Sequence, residues 1–253
     1  MNSSVFVINL ARSIDRRRDI EKNLKECEID YQIITAIEGA ALTEQEKKGH
    51  TREINYAITN GEIGCALSHI QIYRHIVENN IASALILEDD AYINKELKGI
   101  IESLELQLNE YDPYLIILTE TMKYIKKSKT PLSNKHALHE VLEAAGAHGY
   151  FVNHKAAKAL VDFLYPVWLV ADKWNVVYEH GICNVLAVKP PVISKTHHEM
   201  NSTIRIYTQD EKNKIRTDKD KIWEQLKKKR SLSIRARVAK LKIINAFRSK
   251  IKG

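Results

Sequence analysis

Ala84-Leu85-Ile86-Leu87-Glu88-Asp89-Asp90 is the stretch whose reading decides the fold. Four apolar residues in a row read as a strand buried on both faces, as in a parallel sheet covered by helices. The three acids that follow repel one another and resist leaving water. They become tolerable at the open carboxyl edge of such a sheet, where ligands bind, if a divalent cation offsets their charge. Hard cations such as Mn²⁺ or Mg²⁺ take oxygen ligands, and Glu88 and Asp90, two apart on an extended chain, point to the same side. A solvated acidic turn is the plain alternative for so short a triplet, so the rest of the chain has to decide.

Outward from this strand, strands and helices alternate. Val5–Asn9 reads as a strand, and a helix opened by Ser13 runs to about Glu26. Tyr31–Thr35 reads as a second strand, Gly61–Asn80 as a helix with Ile63, Leu67, Ile70, Tyr73 and Val77 on one face, and Lys95–Leu108 as another helix. Strands are expected at Tyr114–Leu118, Gly149–Asn153 and Ile182–Val188, a helix at His154–Leu164, a long loop with short helical pieces at 39–60, and a loop at 123–135. The pattern predicts an α/β domain with a mostly parallel, open sheet flanked by helices.

The 253 residues carry 44% apolar and 28% charged side chains, which excludes a disordered chain. Three scattered cysteines, Cys27, Cys65 and Cys183, give neither a disulfide framework nor a zinc pattern. No apolar run approaches the ~18 residues of a bilayer span, and no leader is expected ahead of the first strand. A cytoplasmic protein is expected. The net charge of +7 is unevenly spread: residues 212–253 hold 16 Lys and Arg against 3 Asp and Glu, leaving 23 against 29 in residues 1–211. This break sets the expected boundary between a domain over 1–211 and a basic helical tail over 212–253.

Three segments join the acids. Asn9 to Arg18 follows the first strand, where basic residues meet the positive end of a helix dipole, a natural diphosphate site. Arg12 and Arg16 are read as functional, and Arg17 and Arg18 as a solvated face paired with nearby acids. Gly61-Glu62-Ile63-Gly64-Cys65-Ala66-Leu67-Ser68-His69 opens a helix with two glycines, a cost that close approach to a ligand would explain. Glu62, Cys65 and His69 share one face. A packing role for Cys65 is favoured over nucleophilic catalysis. Finally, Gly146-Ala147-His148-Gly149-Tyr150 is followed by Asp172, an acid in apolar surroundings that suits a general base or, equally, a helix cap.

Together these segments resemble glycosyltransferase family 25, the bacterial lipopolysaccharide and lipooligosaccharide glycosyltransferases related to procollagen galactosyltransferases. The resemblance covers roughly residues 4–200. It rests on Ile8-Asn9-Leu10 through Arg17, Ala36-Ile37-Glu38-Gly39, the G-E-I-G-C-x-x-S-H run, L-E-D-D and the later G-x-H-G-Y and Asp172 regions. It implies a GT-A-like fold and an inverting transfer of a hexose, galactose favoured over glucose, from a UDP-sugar. Carried over by position, Asn9, Arg12, Arg16, Ser68, Glu88 and Asp89 fall on the donor side. Asp90, with Glu88 and His197 (His198 beside it), falls on the metal, Mn²⁺ or Mg²⁺, and Asp172 on the base, with Glu62 second. The implied acceptor is a lipid-linked saccharide at the cytoplasmic leaflet.

In the tail, Ile234, Val238, Leu241, Ile244, Phe247 and Ile251 recur at steps of three and four among basic residues. Such a helix suits an anionic membrane surface, or else packs on the body with its charges in water. Nucleic acid is not expected, because only Trp223 and Phe247 interleave the charges. Two other functions stay open at this point: a non-catalytic membrane- or nucleic-acid-binding adaptor, and a metal-dependent phosphoryl-transfer enzyme, the latter disfavoured by the lack of a P-loop.

Overall fold

A computed structural model describes residues 1–125, 127, 129–196, 207–248 and 250–252. In chain order the elements are β1 (Ser4–Asn9), α1 (Ile14–Glu26), β2 (Gln32–Thr35), α2 (Glu44–His50), α3 (Asn60–Glu78), β3 (Ser83–Glu88), β4 (Ala91–Ile93), α4 (Leu97–Gln107), β5 (Tyr114–Ile117) and β6 (Lys123–Ile125). They continue with β7 (Thr130–Pro131), β8 (Ala137–Glu143), β9 (Gly149–Asn153), α5 (His154–Leu164), α6 (Trp174–His180), β10 (Asn184–Lys189), β11 (Ile193–Lys195), α7 (Gln209–Lys228), α8 (Leu232–Phe247) and β12 (Lys250–Lys252).

The main sheet has the order β12-β6-β8-β10-β5-β9-β3-β1-β2, with β7 on β8. β1 lies between β2 and β3, parallel to both, and β5 pairs in parallel with β10. β9 runs antiparallel between β3 and β5, and β8 antiparallel to β10. Thus β1, β2, β3, β5, β6, β7 and β10 run one way and β8, β9 and β12 the other: an open α/β sheet, as expected, with antiparallel insertions. Residues 123–135, expected as loop, instead contribute β6 and β7 to its edge.

Alternation along the central strands explains why Ala84–Leu87 of β3 are apolar without a break. Phe6, Ile8, Ala84 and Ile86 face a core closed by α3, α5 and α6, whereas Val5, Val7, Leu85 and Leu87 face a second core with residues from α1 and α4. Each such large side chain, removed from water, contributes about 1.5–3 kcal/mol. The strand is therefore fixed in register, and its last residue, Glu88, lands at the edge beside Ile8 of β1.

The start of α3 is fixed by a capping box, in which Thr59 accepts from the Glu62 backbone and Glu62 accepts from the Thr59 backbone. Gly64 answers a different need from the one its sequence suggests. A Cβ there would sit 2.4 Å from the Ile37 carbonyl oxygen and 2.6 Å from the Gly39 nitrogen, so the glycine admits the 36–39 backbone rather than a ligand. Ser68 reinforces the contact: its Oγ donates to the Gly64 carbonyl at 2.7 Å and accepts from the Ile37 amide at 2.8 Å. Gly64→Ala is accordingly expected to destabilise the fold by roughly 1–3 kcal/mol or more, read as a lowered urea midpoint. An unchanged midpoint would show that the two backbones can part at little cost.

Candidate active site

The carboxyl end of β3, the segments leading into β9 and α6 and the start of α3 surround a cleft of about 560 Å³. Glu62 and Cys65 line it from α3, Glu88 from β3, Ala147 and His148 from the segment entering β9, and Asp172 from the loop before α6. Lys195 of β11 and Lys219 of α7 complete the wall. A separate depression beside α3, lined by Ile34, Leu67 and Arg74, holds none of the predicted catalytic acids.

The three acids have three environments. Asp89 is buried and accepts from Asn9 Nδ2 at 2.8 Å, while Arg16 pairs with its other oxygen. Burial pushes its pKa up to about 6, with Arg16 and Asn9 pulling the other way. Asp89 and Asn9 thus knit β3 to the turn after β1, and Asn9 Nδ2 also reaches the Ser13 carbonyl at 3.1 Å. Glu88 accepts from His69 Nε2 at 3.2 Å. Burial alone would raise its pKa, but the bond and charge of His69, with His148 and Lys195, outweigh it and hold the carboxyl below its ordinary value. Asp90 stands 3.7 Å from Arg16 and keeps its Oδ1 buried with no hydrogen-bond partner. Burial and then the Glu88 charge raise its pKa.

Asp89 gives a pH prediction. Its carboxyl binds a proton near pH 6 in the fold and near pH 4 in the unfolded chain, so between these values the native state holds the extra proton. Its contribution to stability therefore falls as pH rises through that window. Urea midpoints measured with chelator from pH 4 to 7 should carry this downward component in the wild type and lose it in Asp89→Asn. Parallel profiles for the two proteins would contradict it.

Asp172 accepts from the Gly146 amide at 3.0 Å, and Trp174 Nε1 donates to the Gly146 carbonyl at 2.9 Å. Gly146 has φ of +90°, a conformation that suits glycine. Asp172 therefore precedes α6 rather than capping it, the N-cap position being Lys173. Glu62, the second candidate base, is held by its capping box and by an ion pair with Lys219. Arg12 pairs with Glu38 at the exposed rim. Arg17 and Arg18 pair with Glu21 and Asp15, as expected for a solvated face. Ser68 is fully buried and outside the cleft lining, its hydroxyl committed to the 36–39 loop. Cys65, expected to pack in the core, lines the cleft. His197 and His198 lie outside the described residues.

Four residues that sequence reasoning did not select belong to this site. His148 is buried with Nδ1 unpartnered, and burial lowers its pKa while Asp90 and Glu88 pull it upward. Its signal was the Gly-Ala-His-Gly frame. Lys195 is brought in by the β4–β11 ribbon, which pairs it with Ala91 next to Asp90, a contact no local pattern announces. Tyr56 and Lys219 meet across the cleft, with the Lys219 ammonium 4.8 Å from the tyrosine ring centre.

Lys219 shows that the basic tail is not a free appendage. Trp223 packs edge-on against Tyr56, Arg230 pairs with Glu179 at 2.6 Å, Arg237 donates to the Glu179 carbonyl, and Arg248 pairs with Glu140. Helix α7 starts at Gln209 behind a Thr208–Glu211 capping box, a few residues before the composition break. Ile234, Val238 and Leu241 turn toward the body, whereas Ile244 and Phe247 turn outward and Ile251 lies in β12. The apolar positions of the tail thus divide between two faces.

The family model for Glycosyltransferase family 25 (LPS biosynthesis protein) matches residues 2–174. The chain belongs to glycosyltransferase family 25. This family 25 chain is 30% identical over 170 residues to procollagen galactosyltransferase 1 of Danio rerio, covering 62% of the chain and 28% of the relative. It is 27% identical over 249 residues to procollagen galactosyltransferase 1-A of Xenopus laevis, covering 88% and 39%. The chain thus spans between about a quarter and two fifths of these relatives. The family also includes a human protein named inactive glycosyltransferase 25 family member 3, 32% identical over 109 residues, 40% of this chain and 18% of that one, so membership alone does not decide activity. Among solved structures, a glycosyltransferase involved in glycosylation of the major capsid of PBCV-1 aligns over 72% of this chain and 76% of its own, with TM-score 0.39 and 11% identity.

Proposed function

We propose that this chain is an inverting hexosyltransferase that moves a hexose, galactose by preference and glucose as the variant, from a UDP-sugar to a growing lipopolysaccharide or lipooligosaccharide saccharide. The observation that carries the reading is the pair of acids at the edge of β3: Asp90 keeps a buried carboxylate oxygen without a partner, two residues from Glu88 and beside a cleft large enough for a nucleotide sugar. An orphaned buried carboxylate oxygen is costly unless something binds it, and an all-oxygen pair fits a hard divalent cation, Mn²⁺ or Mg²⁺. Asp90 and Glu88 would hold that cation, which supplies charge neutralisation for a departing diphosphate.

The other residues divide the remaining work. Asn9 and Arg16 fix Asp89, and with it the donor-side turn after β1. Lys195 and His148, whose Nδ1 has no hydrogen-bond partner, offer donors on the same wall as Glu88. Asp172 takes the proton from the acceptor hydroxyl as it attacks the sugar from the face opposite the diphosphate. It is preferred to Glu62, whose carboxylate is occupied by the Thr59 amide and Lys219. Calorimetric titration of UDP tests the donor side: binding that needs Mn²⁺ is expected, and binding indifferent to chelator would contradict the assignment.

The same proposal places the protein on the cytoplasmic face of a membrane. Leu232, Ile243 and Phe247 on the outer side of α8 are 81%, 63% and 88% exposed. Arg235, Lys240 and Lys242 flank this stripe, and each well-placed basic residue contributes about 1 kcal/mol at an anionic surface. Removal of residues from Ser231 onward leaves the cleft and its Lys219 in place. Transfer to a soluble saccharide should survive, while sedimentation with anionic vesicles, salt-sensitive in the full chain, should be lost. Undiminished sedimentation of the truncated chain would remove the tail's membrane role.

A further inference from the structure

Cys65 and His69 lie one turn apart on α3 and so present their side chains on one face. Glu88 meets that face from the end of β3. The Cys65 thiol, one His69 nitrogen and one Glu88 oxygen all lie within 4.8 Å of one another. The imidazole is held from behind: Nδ1 is 2.7 Å from the Tyr150 hydroxyl, which is 2.6 Å from the Tyr73 hydroxyl, and all three side chains are buried. His69 therefore turns Nε2, and only Nε2, toward Glu88 and the cleft. A ring fixed through its second nitrogen is the usual support of a metal-binding histidine. Cys65 and Glu88 both line the cleft, so a cation can enter and a fourth position stays open to solvent.

We propose that Cys65, His69 and Glu88 form a site for a borderline-soft d-block cation of the Zn²⁺ kind, distinct from the hard-cation pair and competing with it for Glu88. Tetrahedral donors at bond lengths of 2.0–2.3 Å stand roughly 3.3–3.8 Å apart, so the three groups close on the ion by about an ångström of side-chain movement. Binding releases to the buffer both the thiol proton and the Nε2 proton that His69 gives to Glu88, and leaves the imidazole neutral with its proton on Nδ1, facing Tyr150. A thiolate and a carboxylate then balance the dication, a neutral assembly suited to a half-buried site. Sulfur and imidazole select against Mn²⁺ and Mg²⁺, which are left to Asp90. Occupancy withdraws Glu88 from Asp90, so such a cation inhibits transfer; this consequence alone rests on the function proposed above.

The test uses the full chain and Co²⁺, with no nucleotide or sugar present. Titration should produce a thiolate-to-cobalt charge-transfer band that Zn²⁺ abolishes by displacement. Cys65→Ser, with its circular dichroism unchanged, should lose the band, and His69→Gln should weaken binding at least about tenfold. Asp90→Asn should keep it. No band in the wild type at saturating Co²⁺, a band that survives Cys65→Ser, or one lost in Asp90→Asn overturns the proposal. None of these outcomes depends on whether the protein transfers a sugar.

Discussion

Asp90→Asn is expected to abolish hexose transfer, by at least about a hundredfold in kcat/KM, the scale of removing one preorganised electrostatic contact, while leaving the fold intact. Asp90 Oδ1 has no partner to lose, and its raised pKa shows that burial and the Glu88 charge already work against its ionised form. Asn removes that strain together with the negative ligand. The variant should therefore be no less stable than the wild type in chelator, and Mn²⁺-dependent UDP binding should weaken in parallel with activity. Near-normal turnover at saturating Mn²⁺ would remove the acidic edge of β3 from the mechanism.

Asp172→Asn should lower kcat by about 10²–10⁴-fold, as expected when a general base is removed, with UDP affinity nearly unchanged. The substitution is conservative where the structure needs it to be. Asn keeps an oxygen to accept the Gly146 amide, so the turn at Gly146 and the Trp174 contact stay in place, and only the basic site is lost. A fall in UDP affinity matching the fall in kcat would make Asp172 a donor-side or structural residue.

The strand that ends in the acids was legible because its period and its punctuation agree: four apolar residues filling two cores, then charges at the edge. Helix α3 was legible for the same reason, through Ile63, Leu67 and Ile70. Less legible was what lies across from them. β8 mixes His139, Glu140 and Glu143 with four apolar residues in no alternating order, and its buried His139 uses Nδ1 on the Ile125 carbonyl, so no simple period betrays it. β4 and β11 are three residues each, too short for a pattern, yet their pairing carries Lys195 to Asp90. Gly64 and Ser68 announce a tight contact in the sequence but not its partner, which proves to be the 36–39 backbone.

The tail held the largest gap. Its basic composition suggests charges in water, and in the fold Lys219, Arg230, Arg237 and Arg248 are instead spent on Glu62, Glu179 and Glu140 or on the backbone beside them. The signal was present in the charge count: an acidic body of 23 basic against 29 acidic residues is a natural surface for a segment of 16 against 3. Charge complementarity within one chain, read alongside the break itself, points to docking before it points to a partner. It also places α7 in the wall of the cleft, where the match to the family model, ending at residue 174, does not reach.

Incubation of the full chain with UDP-galactose, Mn²⁺ and truncated lipooligosaccharide acceptors, followed by product analysis, tests the central claim most directly. The expected result is UDP release coupled to a galactosylated saccharide whose new linkage has the anomeric configuration opposite to the donor's, with UDP-glucose used less well. No sugar transferred from UDP-galactose or UDP-glucose to any saccharide acceptor, with Mn²⁺ present and the protein folded, would contradict it.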